Sequence, residues 1–230
     1  MTSVAESVHA FVLHRRPYSE TSFIVELWTE EHGRVGVMAR GERKRSAQGR
    51  GALQPFQLLN VSWRGRGELP NLVDCEAESM ALRLQGKKLI SALYVNELLM
   101  RLLQRHDPHP SLWQPYADVL QALNTEASAE PPLRIFEKRL LASIGYGLEL
   151  TREGDTGAAI SANQNYAYDP QAGPRLASGP QCVSGTTLLA LAAENLSSPT
   201  QLREAKMLMR NLLDVRLEGR ALSTRKLIRS

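Results

Sequence analysis

Cysteine is nearly missing from this chain of 230 residues, which holds only Cys75 and Cys182, far apart in sequence. That excludes a disulfide framework and a four-cysteine zinc site, and it points to a reducing compartment. No apolar run approaches the roughly 18 residues a membrane-spanning helix needs. Residues Met1 to Ser7 lack the basic region and apolar stretch of a secretory signal, so a cytoplasmic protein without a membrane partner is expected. Catalytic patterns are missing too: there is no nucleophile elbow, no Ser-His-Asp order and no phosphate-cradling glycine motif. Glu30 and Glu31 are adjacent, and on a strand they would face opposite sides. His106 and His109 come nearest to a metal pair, but Pro108 prevents a regular helical presentation and no third ligand is near. The expectation is no catalytic residue, no metal, no cofactor and no enzyme.

What is present is ordinary globular material with unevenly placed charge. Apolar residues make up 43% and charged residues 23%, enough for a substantial core. The net charge of +4 decides nothing, but its distribution does. Between Arg34 and Gly67 stand eight basic residues and one acidic, while 1–33 and 68–82 are net acidic. From Thr200 onward there are eight basic residues against three acidic. Cations gathered in patches suit a polyanion bound at particular surfaces. A solvated, flexible basic loop would give the same composition.

The first 84 residues read as short strands. Phe23, Val25 and Leu27 alternate with Ile24, Glu26 and Trp28, and Ala10, Val12 and His14 alternate with Phe11 and Leu13, the period-two mark of half-buried strands. Arg16-Pro17-Tyr18-Ser19 supplies the intervening turn. A third strand is expected at Arg34 to Arg40, a fourth at Leu53 to Arg64 and a bent fifth over Glu68 to Leu84. Five short strands suit a small closed or partly closed barrel, and an SH3-like barrel would have the same pattern.

After Gln85-Gly86 the period becomes helical. Helices are expected at Lys87 to Arg105, with Leu89, Leu93, Leu98, Leu99, Leu102 and Leu103 on one face, at Ser111 to Asn124, and at Leu133 to Ile144. Others follow at Gly185 to Asn195 and Thr200 to Leu217. Residues 151–182, rich in Gly, Ala, Asn, Gln and Pro, read as a long loop or small irregular insert. The organisation expected is 1–84 as a nucleic-acid-binding domain and 85–230 as a helical domain.

Arg40-Gly41-Glu42-Arg43-Lys44-Arg45 through Arg50-Gly51 sits between the third and fourth strands. Arg and Lys neutralise phosphates and release counterions, a source of affinity without base sequence. Together with Arg34, Arg64 and Arg66, the residues Arg40, Arg43, Lys44, Arg45 and Arg50 are the expected phosphate contacts. Aromatics, at 6%, are too sparse to assemble a stacking platform, and core packing is the default for Trp28, Trp63 and Tyr18. On the helix from Leu133, Arg134, Lys138 and Arg139 border an apolar stripe that suits an acidic, hydrophobic peptide, although a solvated face would read alike.

Ala10-Phe11-Val12-Leu13-His14-Arg15-Arg16-Pro17-Tyr18-Ser19-Glu20-Thr21-Ser22 resembles the first hairpin of the RecO family. Thr29-Glu30-Glu31-His32-Gly33-Arg34-Val35 is similar to that family's second turn. Arg40-Gly41 with its basic loop, Gly51 to Phe56, Tyr94-Val95-Asn96-Glu97-Leu98-Leu99, and Leu133 to Gly147 continue the likeness in order, clearly to about residue 150. The resemblance implies an α+β protein: a five-stranded OB-fold barrel followed by an all-helical domain with an irregular insert. It implies binding of single- and double-stranded DNA, annealing of complementary strands, and loading of RecA onto DNA coated by single-strand-binding protein. RecR and the acidic C-terminal tail of that coating protein are the implied partners, at the nucleoid. Many family members hold a four-cysteine zinc site in the region matching 151–182. Here only Cys182 remains, as in a zinc-free branch. The alternatives left by the residues are a protein-interaction adaptor and an RNA-binding module on the same barrel.

Overall fold

The computed structural model describes residues 7–42, 51, 53–65 and 67–227. Five strands, β1 (Val8–Pro17), β2 (Phe23–Thr29), β3 (Gly33–Ala39), β4 (Leu58–Arg64) and β5 (Asn71–Ala77), close into a barrel in the order β1-β2-β3-β5-β4. The pairings are antiparallel except for the β3–β5 seam, which is parallel and closes the barrel at Met38 and Asn71. Ala10, Val12, Val25, Leu27, Val35, Val37, Leu59 and Val61 fill the interior, as alternation demands.

Two local departures from regular alternation matter. A bulge between Val12 and His14 sends His14 to the outside, opposite to its expected side with Ala10 and Val12. The fourth strand begins at Leu58 rather than Leu53, because Phe56 adopts a positive φ of 62° just after Pro55.

Part of the outer face of β1, at Phe11, is buried as well, beneath α1 (Gly86–Leu102) and α2 (Pro110–Thr125), and Ile24, Glu26 and Trp28 on the outer face of β2 are buried too. Phe11 meets Trp113 and Tyr116 with ring centroids 5.1 Å away in each case. Buried Asn96 of α1 donates to the carbonyls of Leu13 (3.0 Å) and Val12 (3.4 Å) and accepts from the Tyr116 hydroxyl at 2.8 Å. Burial pushes the Tyr116 phenol far up, so it stays a donor. The stripe of α1 that is buried runs through Ala92, Val95, Asn96 and Leu99, while Leu93 and Leu102 are only half-buried.

The chain forms two compact units, residues 1–124 with 222–230, and residues 125–221. The first contains the barrel, α1, nearly all of α2 and a short C-terminal α6 (Thr224–Leu227). The second contains α3 (Glu130–Ser143), α4 (Gly185–Ala192), α5 (Pro199–Leu217) and a three-stranded sheet. That sheet lies largely within the insert, with β6 (Asn165–Asp169) between β7 (Gly173–Leu176) and β8 (Val183–Ser184). Two glycines admit its close approaches: a Cβ on Gly154 would lie 1.5 Å from the Ala172 carbonyl oxygen, and one on Gly185 would lie 1.9 Å from that of Ser161.

Candidate nucleic-acid interface

Strand register places two exposed cations, Arg16 and Arg64, at the ends of one outer row of the barrel, with Ile24, Met38 and Asn71 between them. Arg16 pairs with Ile24, Ile24 with Met38, Met38 with Asn71, and Asn71 with Arg64, so one lateral row crosses all five strands. Partners in such a row face the same side, and Arg16 and Arg64 are exposed at its two ends. Arg40 is exposed two residues beyond Met38, at the point where β3 gives way to the basic loop. The loop returns at Leu53, whose carbonyl accepts from Arg15 Nη1 at 2.9 Å, and Pro55 bridges to Val12. The returning stem of the loop is thereby fixed to β1. Arg43, Lys44, Arg45, Arg50 and Arg66 lie outside the described residues.

Arg34 is elsewhere. It is buried, donating through Nη1 to the carbonyls of Met100 (2.8 Å) and Leu103 (2.6 Å) and through Nη2 to Glu26 at 3.2 Å. Arg105 joins the same carboxylate, its Nε 3.2 Å from Glu26 Oε2, and lies over Gly36. The hydrogen bonds that Arg105 donates to Glu26 hold its guanidinium above its already high range. This triad fastens β2 and β3 to the end of α1.

Arg16 and Tyr18 are exposed near this row and stand outside the phosphate contacts expected from the sequence. The signal for Arg16 was present in the alternation, but the bulge at Leu13 inverts its parity. Trp28 is fully buried, and Trp63 is 9% exposed with His32 edge-on at 5.4 Å, so both pack as expected. Tyr18, expected to pack in the core as well, is instead 62% exposed, because it lies in the turn beyond the end of β1.

In the second unit, Arg134 is buried against Glu137 at 2.8 Å. Lys138 Nζ meets Glu194 at 2.8 Å and the last carbonyls of α4, Leu191 and Ala192, at 3.2 and 3.3 Å. Arg139 Nε donates to the same carboxylate at 3.1 Å. The Arg139 hydrogen bond, aided by Lys138 and opposed by burial, holds the Glu194 carboxyl below its usual range. Among the described residues, no three His, Cys, Asp or Glu side chains gather as metal ligands. The Cys75 thiol is pushed up to about 12 by burial and by Glu42 and Asp74, which leaves it protonated and unreactive at neutral pH. No described helix is long and apolar enough to cross a membrane.

Comparison with known proteins agrees with this architecture along the length of the chain. Residues 1–80 match the family described as recombination protein O N terminal, and residues 83–225 match recombination protein O C terminal. The chain belongs to the RecO family. A "DNA repair protein RecO" of Methylococcus capsulatus is 48% identical over 224 residues, covering 96% of this chain and 92% of that protein. Proteins of the same name from Halorhodospira halophila and Alkalilimnicola ehrlichii are 42% and 46% identical, over 98% and 96% of this chain and 97% and 89% of their own lengths. Membership of the RecO family assigns the chain a role in DNA repair and recombination. The barrel followed by helices is the OB-fold and helical domain that the hairpin motifs led us to expect.

Proposed function

We propose that this RecO family member is a non-enzymatic recombination mediator. It binds single- and double-stranded DNA, anneals complementary strands and helps load RecA onto DNA coated by single-strand-binding protein. The observation that carries this reading is the outer row of the barrel: Arg16 and Arg64 face outward on it, with Arg40 beside it at the mouth of the basic loop. Fixed cations neutralise phosphates and displace counterions without reading bases. Arg40, Arg43, Lys44, Arg45, Arg50, Arg64 and Arg66 supply the contacts. Arg34 serves the same set as an anchor, holding the strand from whose end Arg40 projects. Annealing needs only that two strands be held with their charge offset and their bases open, so no catalytic residue or cofactor is called for.

RecR and the acidic tail of single-strand-binding protein are the proposed partners, in the cytoplasm at the nucleoid. For the acidic tail, Lys138 and Arg139 are the proposed surface, while Arg134, expected with them, is buried against Glu137 on the same helix. Lys138 and Arg139 already converge on one carboxylate, Glu194, a geometry that suits a second carboxylate arriving in exchange.

Gel-shift comparison of single-stranded DNA, duplex DNA and RNA across a salt series tests the proposal, with annealing of complementary oligonucleotides followed in parallel. Both DNA forms should be bound at low ionic strength and released steeply as salt rises, and annealing should accelerate. Failure to retain any DNA at low salt would overturn it and leave a protein-interaction adaptor, and strong preference for RNA would make the barrel an RNA-binding module.

A further inference from the structure

The turn between β1 and β2 presents an aromatic ring to solvent beside this row of cations. Tyr18 is 62% exposed, whereas Trp28 and Trp63 are buried in the first unit. The turn is built in advance: Pro17 fixes its own φ and pairs with Phe23, and the Tyr18 amide donates to the Ser22 carbonyl at 3.1 Å. Arg15 stiffens its base, its guanidinium stacking 5.2 Å from the centre of the Phe23 ring while it holds the Leu53 carbonyl.

Cations frame the ring. Arg16 precedes Tyr18 by two residues and is exposed. Pro17, Phe23 and Ala39 form one row across three strands, with Tyr18 and Arg40 each one residue past it, which separates their backbones by roughly 10 Å, two strand spacings. The Tyr18 ring is left mostly in water, and a neighbouring pair of exposed arginines adds a polyanion's charge requirement to it. Among polyanions, single-stranded nucleic acid is the one that carries flat, unpaired rings along its backbone. A duplex hides those faces in its own stack.

We propose that Tyr18 is a base-stacking residue: one unpaired base lies on its ring while the flanking phosphates meet Arg16 and Arg40. This rests on the DNA-binding reading above and deepens it, giving the barrel a preference for unpaired strands that charge alone cannot supply.

The test compares full-length wild type, Tyr18→Ala and Tyr18→Phe on three ligands of equal length: an oligo-dT strand, an abasic strand with the same phosphates, and a duplex. Tyr18→Ala should weaken oligo-dT binding on the order of tenfold, the effect of losing one stacked base. Its affinity for the abasic strand and the duplex, and its salt slope on every ligand, should stay at wild-type values, and Tyr18→Phe should bind oligo-dT as wild type does. The proposal is overturned if Tyr18→Ala binds oligo-dT as tightly as wild type, or loses oligo-dT and abasic strand equally. Wild-type protein that binds none of the three at low salt would sink the DNA-binding reading itself, a different and separable result.

Discussion

Arg34 of β3 reaches past the barrel wall to Glu26 of β2 at 3.2 Å, and the same guanidinium holds the carbonyls of Met100 and Leu103 at the end of α1. Three acceptors on two other elements share one buried cation. Planar geometry with several fixed donors makes arginine suited to this, and a lysine cannot reproduce it. We expect Arg34→Ala to cost about 3–5 kcal/mol, the usual penalty for breaking a buried ion pair from one side. Arg34→Lys should recover only a minor part. Urea unfolding of the purified variants measures both. Loss of less than about 1 kcal/mol in Arg34→Ala would mean that Arg105 alone satisfies Glu26.

Gly33 opens β3 at φ +64°, and a Cβ added there would lie 2.2 Å from the Asp107 carbonyl oxygen. Gly41, at φ +76°, has nothing within 4 Å. Both positions disfavour a side chain through the backbone, at about 1–2 kcal/mol for the left-handed region, but only Gly33 adds a backbone clash. Gly33→Ala should therefore destabilise the protein clearly more than Gly41→Ala in parallel thermal melts. Equal losses would show that the loop at Asp107 moves aside freely.

Glu97 on α1 caps the short C-terminal helix, accepting from the Ser223 amide (2.8 Å), the Thr224 amide (2.9 Å) and the Thr224 hydroxyl (2.6 Å). Burial acts to raise this carboxyl, but the Thr224 and Ser223 hydrogen bonds, with Arg101 nearby, outweigh it and hold it below its usual range. A depressed folded value stabilises fully above the ordinary 4.5 and is lost as pH falls through the lower folded value. Hydrogen exchange of the Ser223 and Thr224 amides should thus show strong protection at neutral pH that fades below about pH 4.5. Glu97→Gln should remove that acid-dependent step, and Glu97→Ala should cost about 1 kcal/mol, as for a lost N-cap. Protection that ignores both substitutions would mean that α6 is held by its other contacts.

Much of the fold was legible from residue order alone, for identifiable reasons. Phe23, Val25 and Leu27 point inward because alternation in β2 is unbroken, and α5 begins at a Ser198–Gln201 capping box just before Thr200. What alternation cannot register is a bulge. The extra residue at Leu13 moved His14 and Arg16 to the outer face, and with Arg16 went one end of the cationic row. The small sheet at 165–184 is equally silent in sequence, since strands of five, four and two residues show no period. Its turn is made locally instead, by Asp169 Oδ1 accepting from the Gln171 and Ala172 amides. Charge in the basic region was legible as a sum, but not its division between a buried anchor, Arg34, and exposed Arg40 and Arg64. That division depends on the end of α1, some 70 residues away in sequence, meeting β3. Residue type alone assigned Tyr18 to the core, because exposure is a property of the folded neighbours.

Phosphate binding by the exposed cations of the barrel must show in the salt dependence of oligo-dT binding. Association constants for wild type and Arg40→Gln/Arg64→Gln should be measured over the same salt series and plotted logarithmically. Removing two phosphate contacts should make the slope shallower by about 1.4, at roughly 0.7 per contact on a single strand. A double variant with the wild-type slope would show that these two arginines do not touch the nucleic acid.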